Sequence, residues 1–168
     1  FFLVADKKVV VLIPQPISIQ NAYAFIRNTV YRRLSQLVGQ KSSLQTLIKT
    51  AMDTSNELKV RTVSELLQII QELNGKEAMT ALQEEIRKIQ PFIITNMTRS
   101  NWDKGAGRVI QMVADKYLMV HSVDLGSIVY DQKLYTMVSD MLPLTNLIQS
   151  SDAFASVYGM AMTLLRDE

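Results

Sequence analysis

The chain has 168 residues, 48% apolar and 20% charged, with 18 Lys+Arg against 16 Asp+Glu. That balance excludes a disordered chain, which needs lower hydrophobicity and a larger charge imbalance, and it disfavours a dedicated nucleic-acid binder. The longest pure Val/Ile/Leu run, Val9 to Ile13, falls far short of the ~18 apolar residues of a membrane-spanning helix. With no cysteine, a disulfide framework, a thiolate metal site and a Cys nucleophile are all excluded, which fits a reducing, cytoplasmic setting.

Lys8 to Ile13 reads as a strand buried on both faces, closed by Pro14-Gln15-Pro16. Ser18 then stands as the cap of a helix carrying Ala22, Phe25, Ile26, Val30, Leu34, Leu37 and Val38 at spacings of three and four, stopped by Gly39. Its surroundings are one-sidedly basic, with Arg27, Arg32, Arg33, Lys41 and Lys49. Residues 41–90 read as helical throughout. Leu44, Leu47, Ile48 and Met52 form one stripe, and Thr62-Val63-Ser64-Glu65 has the capping-box pattern that opens the next. That stripe, Leu66, Ile69, Ile70 and Leu73, stops at Asn74-Gly75, and a further one runs from Met79 to Ile89 before Gln90-Pro91.

Phe92 to Asn96 reads as a second buried strand. A polar loop, Thr98 to Gly107, leads to a helix with Val109, Ile110, Met112, Val113 and Tyr117. A third strand is expected around Gly126 to Tyr130, and helices over Gln132 to Met141 and Asp152 to Leu165. Strands alternating with helices imply parallel pairing, hence an α/β fold with a partial sheet of about three strands, flanking helices and a helical insertion at 41–90. The chain opens abruptly on Phe1-Phe2-Leu3-Val4 and then core-like sequence. The expectation is therefore a piece of a larger α/β domain (its C-terminal part, on the resemblance given below), with an uncovered strand edge and apolar sheet face, and self-association or a preceding segment to cover them.

Few side chains suggest chemistry by themselves. His121 is the single histidine, so a multi-His metal site is excluded; it has no neighbouring nucleophile and reads as solvent-facing or hydrogen-bonded. Gly105-Ala106-Gly107 does not directly follow a strand, and the phosphate-loop pattern of Gly, four residues, Gly, Lys and Ser/Thr occurs nowhere. Glu84-Glu85 and Asp167-Glu168 read as surface carboxylates, and most of the methionines as core filler. Trp102 reads equally as a contact residue or as a cover for the sheet end. The amphipathic stretch from Phe154 to Leu165 has too few basic residues for a membrane-surface helix and is expected to pack on the sheet.

Three segments taken in order resemble one family. Val11-Leu12-Ile13-Pro14-Gln15-Pro16-Ile17-Ser18-Ile19-Gln20-Asn21-Ala22-Tyr23 is similar to the stretch of MinD/ParA-type ATPases where a strand runs into Pro-Glu-Pro-Thr-Ser and a helix beginning Asp- or Asn-Ala-Tyr. Ile94-Thr95-Asn96-Met97-Thr98-Arg99 resembles the Asn-Met-Val-Arg strand end of the FlhG-like branch, which places flagella, and Leu125-Gly126-Ser127-Ile128-Val129-Tyr130-Asp131 resembles its Leu-Gly-Tyr-Ile-Pro-Tyr-Asp strand.

The resemblance implies a nucleotide-dependent dimerisation switch in flagellar placement or chromosome partitioning, with ATP and Mg2+ as ligands of the full-length parent. Its phosphate loop and magnesium-binding residues would lie upstream, so this chain alone should be inactive and contributes no catalytic residue. Asn96, Val129, Tyr130 and Asp131 would form the adenine end of the pocket. Gln15, Ser18 and Asn21 would sit on the phosphate and dimer side. Gln15 stands where the family has Glu, Asn21 where MinD-like members have Asp, and Val129 where it has Pro. The implied partners are a second copy, proteins docking through 41–90, and a membrane surface in the parent only. The other reading is a non-catalytic interaction or scaffold module of the same fold, docking through the helical insertion. A nucleic-acid-binding accessory, resting on the basic stretch Arg27 to Lys49, stands below both.

Overall fold

The computed structural model describes residues 2–38, 42–53, 60–143 and 151–166. The order is β1 (Lys8–Leu12), α1 (Pro16–Leu37), α2 (Ser43–Met52), α3 (Val63–Arg87), β2 (Pro91–Thr98), α4 (Ala106–Leu118), β3 (Val123–Val129), α5 (Gln132–Ser139) and α6 (Asp152–Arg166), with 3-10 turns at Phe2–Val4 and Asp103–Gly105. The fold is α/β. Three parallel strands stand in the order β1-β2-β3, with Val10 beside Ile93 and Ile93 beside Asp124. Parallel neighbours require long crossovers, which the helices between the strands supply.

One face of the sheet carries the core. Val10, Leu12 and Ile93 are buried with Ile26, Val30 and Leu34 of α1 and Ile110 and Ala114 of α4. Each of these Val, Leu and Ile side chains stabilises the fold by about 1.5–3 kcal/mol relative to exposure. The same apolar cluster continues outward through Ile48 of α2 and Leu66 and Ile70 of α3, so residues of the helical insertion share one core with the sheet. The opposite face is covered differently. Gly126 pairs with Ile94, and a Cβ on Gly126 would lie 3.6 Å from Met160 Cε, so α6 lies over β3 on the face shared by Ile94 and Val11. At β1 that face is open: Val9 is 36% and Val11 57% exposed. The expectation of a strand buried on both faces is corrected there: among the described residues α6 packs chiefly on the far strand, β3.

Several local expectations change for identifiable reasons. Helix α1 starts at Pro16, whose fixed φ suits a first helical position. Ser18 does not cap it; its Oγ accepts from the Ile13 N–H at 3.1 Å and closes the strand-to-helix turn instead. The helix ends at Leu37 with Val38 extended, while Gly39 and Lys41 lie outside the described residues, as do Asp167 and Glu168. The capping box is formed: Thr62 Oγ1 accepts from Glu65 N at 3.1 Å, and Glu65 Oε2 accepts from the N–H groups of Arg61 and Thr62. Asn74-Gly75 does stop the first stripe as expected: Gly75 takes φ 86° and ψ 168°, non-helical values that part α3 into two helical stretches.

The methionine expectation fails at Met97, Met112, Met141 and Met162, which are exposed. Trp102 is 93% exposed and covers nothing. Helix α6 packs on β3 as expected, but through Ala153 and Met160; Phe154, Val157, Tyr158 and Leu165 face outward.

Two basic side chains of the stretch, Arg27 and Arg33, are taken up inside the fold. Arg27 donates to the carbonyls of Ala51 (3.3 Å) and Met52 (2.7 Å) at the end of α2, and its guanidinium lies 4.9 Å from the centroid of the buried Tyr31 ring. Arg33 donates from Nε to Glu85 at 3.0 Å, and Lys88 pairs with the same carboxylate. Those cations hold Glu85 below the usual carboxylate range, Lys88 more than Arg33. The charges of Arg27 and Arg33 therefore fasten α1 to α2 and α3.

Candidate functional site: a cleft at the carboxyl ends of β2 and β3

In a parallel sheet the strand ends and their loops gather on one side, and open α/β sheets bind ligands outside the carboxyl ends of their strands. A cleft of about 520 Å3 opens there, lined by Thr98, Arg99, Ser100, Asn101, Lys104, Val129, Tyr130 and Asp152. That volume falls within the range of small-molecule sites.

Each wall is fixed by its own hydrogen bonds. Thr98 Oγ1 donates to the Ile128 carbonyl at 3.2 Å, and Tyr130 N donates to the Thr98 carbonyl at 2.9 Å, which extends the β2–β3 ladder to the mouth of the cleft. Asp103 accepts from the N–H groups of Arg99 (2.6 Å) and Ser100 (2.9 Å), pinning the loop after β2. The Arg99 N–H, foremost, lowers the Asp103 pKa. On the other wall Asp131 Oδ1 accepts from Lys133 N (2.8 Å) and Leu134 N (3.2 Å), capping α5, and Oδ2 accepts from the Ser151 hydroxyl at 2.6 Å. That hydroxyl bond is the first cause of a lowered Asp131 pKa.

The cleft combines two cations, Arg99 and Lys104, and one aromatic ring, Tyr130, with the Asp152 carboxylate. The Arg99 guanidinium lies 4.2 Å from the Tyr130 ring centroid, and the Tyr130 hydroxyl donates to Gln132 Oε1 at 2.8 Å. Among the described residues the ion pairs join Glu85 to Arg33 and to Lys88, so Arg99 and Lys104 have no acidic partner. A planar ring seated against the Arg99–Tyr130 pair and an anion near Lys104 would both be matched.

The structure brings Val129 and Tyr130 into this cleft and sets Asp131 behind it as the α5 cap. Asn96 does not line it. β2 runs on to Thr98, and the Asn96 Oδ1 accepts from Met97 N at 2.8 Å, where Met97 takes φ 59° at a break in the β2–β3 register. Gln15, Ser18 and Asn21 stand at the same end of the sheet beyond β1, with Gln15 and Asn21 exposed. Sequence reasoning missed Thr98, Arg99, Ser100, Asn101, Lys104 and Asp152 as wall residues. The available signal was a polar, basic loop directly after a parallel strand. His121 is exposed beside β3, away from these residues. Among the described residues no group of three or more His, Cys, Asp or Glu could hold a metal ion, and no helix is long and apolar enough to cross a membrane.

No protein-family model matches the chain, and neither a curated protein nor a solved structure matches it.

Proposed function

We propose that this chain binds a nucleotide through the cleft at the ends of β2 and β3 and contributes the base side of an ATP-dependent switch of the MinD/ParA type, FlhG-like in its loops. The observation that carries the reading is the Arg99–Tyr130 pair at the carboxyl end of a parallel sheet, next to the Val129-Tyr130-Asp131 turn. A base stacks against guanidinium and phenol, while Lys104 and Ser100 face the polar part of the ligand. The phosphate loop belongs outside these residues in this reading, so the chain binds without hydrolysing. Mg2+ would be held with the phosphates in the parent; the described residues offer it no cage of three carboxylates or imidazoles. The setting is the cytoplasm, and nucleotide closes a homodimer through the Gln15–Asn21 side.

Titration calorimetry with ADP and ATP tests this. Saturable binding is expected, weakened roughly tenfold, or ~1.4 kcal/mol, by Arg99→Ala and by Tyr130→Ala. No binding, or binding indifferent to both variants, overturns it, and turnover of ATP by the chain alone overturns the assignment of the phosphate loop elsewhere.

A second reading, a scaffold docking through the helical insertion, is favoured by one feature. An apolar cavity of about 490 Å3 lies between the end of α1 and α2–α3, lined by Leu37, Leu44, Ala78 and Leu82 among others.

A further inference from the structure

Helix α4 carries two apolar stripes. Ile110, Ala114 and Leu118 are buried against the sheet, while Val109, Val113 and Tyr117, each one residue earlier, line a cavity toward α1 and stay partly exposed. From the other side α1 supplies Ile19 and Tyr23, one turn apart, and Arg61, just ahead of α3, stands at the third wall. The mainly apolar space between them is about 400 Å3, within the range of small-molecule sites. α1, α3 and α4 all touch one another, so the corner is held from three sides. α1 joins β1 to β2 and α4 joins β2 to β3 on the same sheet face, so the corner stands over the middle of the sheet, and α1 separates it from the β1 edge. Ile19 and Tyr23 lie two residues to either side of Asn21, roughly 160° round the helix from it. The cavity and the Gln15–Asn21 side therefore use opposite flanks of α1, and no lining residue is shared with the cleft at Arg99.

We propose that this corner binds a small amphipathic carboxylate, a medium-chain acyl acid, with its apolar body between α1 and α4 and its carboxylate on the Arg61 guanidinium. The Arg61 backbone is fixed beside the capping box, where its N–H donates to Glu65 Oε2 at 2.7 Å. Among the described residues its guanidinium makes no ion pair. A single guanidinium offers one positive charge in a planar fork, the geometry that a carboxylate meets with two parallel hydrogen bonds. Burial, foremost, raises the Tyr23 pKa, with Tyr31 and Tyr117 adding to it against Arg27, so the Tyr23 phenol stays a neutral O–H donor on the α1 wall. Ile19, Val109 and Val113 suit a hydrocarbon chain and give nothing to a bare inorganic anion. An occupant seated in this way bridges the start of α3 to both crossover helices. The inference does not rest on the nucleotide reading, because it uses neither the cleft nor the Gln15–Asn21 side.

Titration calorimetry of the full chain with octanoate tests it, and saturable binding is expected. Arg61→Gln changes an exposed side chain and keeps the backbone N–H of the capping box. It is expected to weaken octanoate roughly tenfold, the size of a lost charge-assisted hydrogen bond. Val109→Glu, at a position 46% exposed, sets a like charge in the slot and is expected to abolish binding with unchanged far-UV circular dichroism. 1-Octanol, the same chain without the charge, is expected to bind more weakly than octanoate and to be indifferent to Arg61→Gln. Inorganic phosphate is expected not to displace octanoate. Absence of saturable binding, octanoate affinity unchanged in either variant, octanol binding as tightly as octanoate, or displacement by phosphate each overturns the inference.

Discussion

The Asp131 carboxylate and the Ser151 hydroxyl, 20 residues apart in the chain, meet at 2.6 Å. The same carboxylate caps α5, and the Ser151 Oγ accepts from Phe154 N at 3.3 Å in the first turn of α6. One short contact thus joins the starts of two helices beside the cleft wall formed by Val129 and Tyr130.

The Asp131 pKa is lowered, by the Ser151 hydroxyl first and the α5 N–H groups after it. A carboxylate whose folded pKa is depressed adds stability that is full above its unfolded value, about 3.9, and is lost as pH falls through the folded value. Carboxyl 13C titration should therefore place Asp131 below the ordinary aspartate range, and Ser151→Ala should move its midpoint upward. Protection of the first-turn amides of α5 and α6 should fall together below about pH 4. An unchanged midpoint in Ser151→Ala would show that the hydroxyl does not hold the carboxylate.

Gly107 opens α4 against β3. A Cβ there would lie 2.6 Å from Asp124 Oδ1 and 2.8 Å from its Cγ, while that Oδ1 accepts from Gly126 N at 3.0 Å. Gly107→Ala must displace the carboxylate or the helix, and should destabilise by about 1–3 kcal/mol in urea unfolding. Asp124→Ala should recover part of that loss when combined with it. Additive effects in the double-mutant cycle would show that the two positions do not touch.

Arg27 fastens α2 to α1 by two carbonyl bonds and by its place over Tyr31. Carbonyls at a helix end concentrate negative partial charge, so a cation suits them. Arg27→Ala should cost about 2 kcal/mol, read as a lower urea midpoint. Arg27→Lys should retain only part of it, since an ammonium lacks the planar fork.

Thr95 is fully buried on β2, and its Oγ1 finds no hydrogen-bond partner among the described residues. Replacing a buried, unsatisfied hydroxyl by a methyl of similar shape removes a desolvation cost. Thr95→Val should therefore leave thermal stability unchanged or raise it by up to about 1 kcal/mol. A marked loss of stability would mean that the hydroxyl has a partner.

The sequence by itself determined the class of the fold, because its signals are local. The Val9–Leu12 run, the three-and-four spacing through Ile26, Val30 and Leu34, and the Thr62–Glu65 box act over one or two turns, and all three became the elements expected. Val129 and Tyr130 could be named only from the resemblance of Leu125–Asp131 to a family's strand, not from spacing. Asn96 was not separable in the same way: its side chain is taken by Met97 N, and that contact depends on a bulge no periodicity announces.

What only the tertiary structure decided was coverage and pairing. Val9 and Val10 are both valine in one strand, yet Val10 is buried under the α1–α4 layer and Val9 is not, since α6 packs chiefly on β3. Arg27 and Arg33 read as a solvated basic face until α2 and α3 folded back to supply carbonyls and Glu85. The cleft itself joins Arg99 to Tyr130 across two strands, a contact 31 positions apart in the numbering of the chain. Such relations are set by which surfaces remain after the core has closed, and no local pattern carries that information.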